Sequence, residues 1–221
     1  MGEEHHHHLE FENAYVRVYF VEIPARESTL FHHHDFPYLS ATPTGADAAM
    51  PPADGSAGSS TVVPRMSYSP GNFSHAVTNL RDYPLRNVAI ELLRPQGAAR
   101  NRCAEVIPDQ PHEQCDFPDP RGPVGAASVP VFESDEILVR AWHMAADSVF
   151  PLPDADAHAD MLIASLSGVF VTASGGITSA HALKGGLLWV PAGSKPTFRV
   201  GPKGDGYFFT IAFKDSKPPE P

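Results

Sequence analysis

The chain has 221 residues, with 16 Lys plus Arg against 26 Asp plus Glu and a formal net charge of −10. That balance disfavours a nucleic-acid backbone as partner. The 23 prolines and 17 glycines argue against long helices, whereas an apolar fraction of 42% with 13 Phe is enough for a packed core. No apolar run is long enough to span a bilayer, and the opening Met1-Gly2-Glu3-Glu4 lacks a basic then apolar leader pattern. The expectation is a soluble protein, cytoplasmic or periplasmic or secreted, with removal of an earlier leader left open.

In chain order, residues 1–10 read as an N-terminal tail. The run His5 to His8 within it is set aside, because a mobile terminus holds no defined site. Tyr15 to Ile23 alternates Val16, Val18 and Phe20 against Arg17, Tyr19 and Val21, the period of a strand, with Glu22 in the exposed phase. His32-His33-His34 follows an apolar stretch and precedes Asp35 and a further strand. Side chains two apart share a strand face, so His32 and His34 point inward together and His33 outward. Residues 46–60, rich in Gly, Ser and Pro, read as a flexible loop. His75 lies on the strand after Pro70. Glu91 sits in the apolar run Asn87 to Leu92 and is expected to be exposed, although its phase also allows an inward position. Residues 99–129 read as an extended Pro-rich surface connector. It carries Cys103 and Cys115, placed either for a short-loop disulfide or as two independent thiols.

A repeat is visible about 120 residues apart. Phe11-Glu12-Asn13 before Val16-Arg17-Val18 matches Phe132-Glu133-Ser134 before Leu138-Val139-Arg140, and each copy then reaches a Ser, Ser28 or Ser148. Tyr38-Leu39-Ser40-Ala41 with Gly45 matches Met161-Leu162-Ile163-Ala164 with Gly168. Both copies close on an apolar run, Asn87 to Leu92 and Tyr207 to Phe213. Short strands broken by Gly and Pro, in two copies, predict an all-β protein of two similar units.

On these residues the chain resembles the cupins. The first cupin motif falls on His32, His34, Tyr38 and Gly45, and the second on Pro70, Asn72, His75 and Asn79, with a glycine shifted to Gly71. The resemblance implies two tandem double-stranded β-helix, or jelly-roll, barrels: 11–98 carrying a metal site, and 130–216 degenerate. It implies a divalent transition metal, Fe, Ni, Zn or Cu, held by His32, His34 and His75. Tyr38 stands where the family has an acidic ligand, so Tyr38 and Glu91 are the candidate acid, base or orienting groups. In the second copy Ala155, Ala157, Met161 and Pro196 fall on the ligand positions and cannot serve. His158 and Asp160 are expected at the surface or rim, His143 beside Trp142 as a packing residue, and His112 and His181 without partners. Two functions stay open: a metal-dependent enzyme on a small organic molecule, dioxygenase-like or isomerase-like, and a non-catalytic small-molecule-binding or structural protein. A small-molecule ligand is the expected partner, with no nucleic acid or membrane and a homodimer left open.

Overall fold

The computed structural model describes residues 4–42, 46–49, 59–62, 65–97, 100–101, 105–106, 115–117, 128–151, 159–166, 171–174, 181–183, 186–194, 197–202 and 204–214. The described elements are all strands, and none of them is a helix that could cross a membrane. The chain divides into two compact units, Met1–Pro95 with Ala104–Phe117, and Gln96–Cys103 with Pro118–Pro221.

The first ten strands are β1 (His7–Glu12), β2 (Val16–Ile23), β3 (His32–His34), β4 (Tyr38–Thr42), β5 (Ala46–Ala49), β6 (Ser59–Val62), β7 (Arg65–Ser69), β8 (Phe73–His75), β9 (Thr78–Asn79) and β10 (Leu85–Leu92). Next come β11 (Arg100–Asn101), β12 (Glu105–Val106), β13 (Cys115–Asp116), β14 (Val129–Glu133), β15 (Ile137–Met144) and β16 (Val149–Pro151). The last are β17 (Asp160–Ser165), β18 (Val171–Ser174), β19 (His181–Leu183), β20 (Leu187–Val190), β21 (Thr197–Val200) and β22 (Gly206–Phe213).

The larger sheet of the first unit runs β1-β2-β10-β4-β7-β13-β12, and that of the second β11-β14-β15-β22-β17-β20-β19, all antiparallel. The central five strands repeat in the same order: β1, β2, β10, β4, β7 correspond to β14, β15, β22, β17, β20. Local irregularities repeat too. The edge pair shifts register between Leu9 and Phe11 in one unit and between Pro130 and Phe132 in the other. The turn after β2 is left-handed at Arg26 (φ 64) and that after β15 at Asp147 (φ 59), and in each the next amide donates to a carbonyl three residues back. Smaller sheets, β3-β8 and β6-β5-β9 in the first unit and β16-β21-β18 in the second, complete the architecture.

Three expectations are corrected. The supposed tail enters the sheet, because His7 to Glu12 pairs with β2 and so satisfies its backbone groups. Residues 46–60 are a hairpin at both ends, β5 with β6, while Met50 to Gly58 lies outside the described residues. The connector is not merely an extended surface segment: β11 pairs with β14, and β12 with β13 joins the first sheet through β7. Cys115 and Phe117 are buried, and Asp116 between them meets Arg65 at 2.7 Å. Cys115 is disulfide-bonded. The chain's other cysteine, Cys103, lies outside the described residues.

Candidate metal centre

In the first unit, β2 and β10 pair Tyr19 with Ala89, Val21 with Asn87 and Ile23 with Leu85. Paired residues share a face, and Tyr19, Val21, Ile23, Leu85 and Ala89 form one buried cluster with Val77 against it. The short pair β3-β8 brings His32 opposite His75 and His34 opposite Phe73. The strand period therefore puts His32 and His34 on one side with His75, and turns His33 outward, where it meets Ser74 and Asp35.

His34 Nε2 lies 3.1 Å from His32 Nε2 and 3.0 Å from His75 Nε2. Each ring offers one nitrogen within 4.8 Å of the other two. Two nitrogens bound at about 2.1 Å are about 3.0 Å apart at a right angle and about 3.4 Å apart at a tetrahedral one. The two observed separations match the right angle, which suits a set that leaves further positions on an ion open. His32 Nδ1 donates to the Leu30 carbonyl at 2.8 Å, which fixes the tautomer and leaves Nε2 as a lone pair. Nδ1 of His34 and of His75 is buried without a hydrogen-bond partner. Burial, reinforced by the neighbouring imidazoles, pushes His34 far below the ordinary imidazole range and His75 down to about 3. Burial also lowers His32. All three rings are neutral at neutral pH, the form that ligates metal.

Tyr38 does not stand as a free polar group. Its ring stacks on His34 with centroids 4.4 Å apart and planes 18° apart, and Phe73 stacks on the same imidazole at 5.3 Å. Burial raises the phenol well above its ordinary range, and a hydrogen bond with Ser69 opposes that rise only in part. Tyr38 is thus a neutral packing partner of His34. Glu91 is buried, against the expectation of an exposed carboxylate, since β10 is covered on both faces from Val88 to Leu92. It pairs in register with Arg17 and Tyr38, and its Oε2 lies 3.5 Å from Arg17 Nη1. Burial raises its carboxyl while Arg17 pulls it back. Asn79, the last residue of the second motif, is fully buried and donates to the carbonyls of Ile23, Pro24 and Tyr83, so its role is to hold strand ends.

No protein-family model matches the chain, and no curated protein sequence matches it. Solved structures do. AerE from Microcystis aeruginosa superposes with a TM-score of 0.57 at 11% identity, over 96% of this chain and 95% of that one. YhhW from Escherichia coli gives 0.58 at 14% identity, over 93% and 88%. A salicylate 1,2-dioxygenase variant from Pseudoaminobacter salicylatoxidans, solved in complex with gentisate, gives 0.57 at 12% identity, over 96% and 74%. The fold is that of the cupins. In the cupin frame the two motif histidines on β3 and the third on β8 are the residues that converge, while Gly45 lies outside the described residues.

Among the described residues, the corresponding interior of the second unit holds an apolar cluster. Met161, which matches Tyr38 in the repeat, is fully buried among Trp142, Met144, Phe198 and Phe208. Ala155, Ala157, His158, Pro196 and His112 lie outside the described residues, and so does the side chain of His181. Asp160, half-buried, accepts the Ala192 amide at 2.7 Å. His143 packs on Tyr207 at 4.4 Å and meets Asp205 at 3.4 Å, the packing role expected of it. Sequence reasoning missed Glu4, His7 and Phe73. A histidine run near a terminus carries no signal that one member enters a sheet, and Phe73 was legible only as a strand residue.

Proposed function

We propose that the first unit binds a divalent transition metal through Nε2 of His32, His34 and His75 and acts on a small organic molecule bound beside it. The convergence of three buried, neutral imidazole nitrogens carries the reading. A metal held there would supply open coordination positions and Lewis acidity. His32 is oriented by the Leu30 carbonyl, His34 is held by Tyr38 and Phe73, and Tyr38 keeps its proton. The aromatic surroundings exclude water and favour an apolar or aromatic substrate face. The dioxygenase among the structural neighbours makes an oxygen-dependent reaction the first to test. We read the whole chain as a bicupin in which the second barrel, filled by Trp142, Met161 and Phe208, is structural.

The test is metal content followed by turnover. Protein with the exposed His5 and His8 changed to Ala is loaded with Fe(II), and oxygen uptake is followed with salicylate, gentisate and related hydroxylated aromatics. Uptake in step with substrate loss, absent from His75→Ala, supports the enzyme. Failure to retain about one equivalent of any of Fe, Ni, Zn or Cu sinks it. A second reading, non-catalytic binding of a small molecule, is favoured by Tyr38: the acidic place of the first motif holds a neutral ring. Metal retention with tight binding of an aromatic acid and no turnover would establish that reading instead.

A further inference from the structure

Part of the N-terminal histidine run belongs to the centre. His7 opens β1 opposite Val21, and its side chain is 6% exposed. Its ring meets His32 edge-on at 4.9 Å, the spacing that separates His34 from His75, and reaches Tyr19 at 6.2 Å. Nδ1 lies 2.5 Å from Glu4 Oε2. That carboxylate is itself buried and also accepts the His6 amide at 2.9 Å and the Leu30 amide at 3.3 Å. Burial pushes the Glu4 carboxyl up, but the hydrogen bonds outweigh it and hold the group below its ordinary range.

An ionised carboxylate only accepts, so His7 carries its proton on Nδ1 and presents a lone pair at Nε2. Among the described residues no group takes that Nε2. Leu30 closes the network: its amide is on Glu4 and its carbonyl takes His32 Nδ1. One buried carboxylate thus orients His7 directly and His32 through a single residue. His7 does not join the set of three donors that lie within 4.8 Å of one another, so its ring is a neighbour of His32 rather than a fourth member of the set.

We infer that His7, oriented by Glu4, accepts a hydrogen bond from a small molecule bound at the three-histidine centre, and so selects ligands that carry an O–H or N–H beside their metal-binding atom. The inference rests on the metal reading above. It makes His7 a substrate-contacting residue and Glu4 a positioning residue.

The test uses Co(II)-loaded full-length protein and two probes, acetohydroxamic acid, which has an N–H, and its N-methyl derivative, which has none. Binding is read from the Co(II) absorption spectrum. His7→Phe keeps the ring and removes both nitrogens. It is expected to weaken acetohydroxamate about tenfold, leave the N-methyl probe within about twofold, and leave Co(II) affinity within about threefold. Glu4→Leu removes the acceptor from Nδ1, releases the ring proton to Nε2 and gives the same selective loss, which a merely structural role would not. His8→Ala, on the exposed phase of β1, leaves both probes unchanged. Should His7→Phe fail to fold, His7→Ala and Glu4→Leu carry the same expectation. Equal affinities for acetohydroxamate in wild type and variants overturn the inference, as does a loss of Co(II) as large as that of His75→Ala, which would make His7 a ligand. Wild-type protein that takes up no Co(II) beyond a His32→Ala, His34→Ala, His75→Ala background defeats the metal reading itself.

Discussion

His34 and His75 are 41 positions apart in sequence, and their Nε2 atoms lie 3.0 Å apart. Two neutral imidazoles this close, with His32 Nε2 at 3.1 Å from the first and without a proton of its own, form an arrangement that a cation resolves. Changing His75 to Ala should therefore weaken Co(II) binding by about 100-fold or more. His33→Ala, on the outward face of the same strand, should stay within about twofold. Titration calorimetry separates the two, and equal effects of the two changes would dissolve the site.

Tyr38 gives a cleaner test of role. Tyr38→Phe keeps the stack on His34 and loses the hydrogen bond with Ser69, so stability should fall by about 1 kcal/mol and metal affinity should hold. Tyr38→Ala opens a cavity beside His34 and should cost about 3 to 5 kcal/mol. Urea denaturation measures both. If Tyr38→Phe abolished metal uptake, the phenol would have to be a ligand after all.

Stability of the metal-free protein should fall in acid with a slope set by the buried rings. In the unfolded chain these imidazoles titrate near 6.5, whereas burial holds His7 at about 4, His75 at about 3 and His34 lower still. Between pH 6.5 and about 4 the unfolded chain binds protons that the folded chain does not, so their contribution is complete above 6.5 and is lost as pH falls. Each fully linked ring contributes about 1.4 kcal/mol per pH unit. Glu91 works in the opposite sense: its raised carboxyl weakens the fold as pH rises through its titration. Chemical denaturation at a series of pH values should show His75→Phe taking up about one proton fewer on unfolding than wild type. An unchanged slope would mean that His75 is not buried neutral.

The histidine triad was legible because strand geometry is simple: positions 32 and 34 must share a face, and a turn glycine with a later histidine marks the returning strand. The repeat was legible down to Phe11 and Phe132, which the structure shows just past matching register shifts. Burial of Glu91 was not, because a period of two cannot say whether a strand is covered on one face or both. Nor was the place of His7. Its burial depends on a hydrogen bond to Glu4 and on pairing with β2, and a run of identical residues carries no periodicity from which to choose one member. The connector strands β12 and β13 are two residues each, too short to leave a pattern.

The turn that delivers His75 supplies the sharpest structural prediction. Gly71 has φ +76, and a Cβ there would lie 2.3 Å from the Phe36 carbonyl oxygen and 2.5 Å from its carbon. The obstacle is backbone, which cannot swing aside as a side chain would. The next residue, Asn72, also left-handed, donates its amide to the His34 carbonyl at 2.6 Å, so displacement of Gly71 moves β8 against β3. Gly193 is a matched control, with φ +75 and nothing within 4 Å of the added atom. Gly193→Ala should cost only the left-handed conformation, about 1 kcal/mol. Gly71→Ala should cost about 3 kcal/mol or more and weaken Co(II) binding as well, because His75 lies four residues on. Melting temperature and metal titration on the two variants decide it: equal losses would show that conformation alone matters at position 71, and that close packing against Phe36 does not set the position of His75.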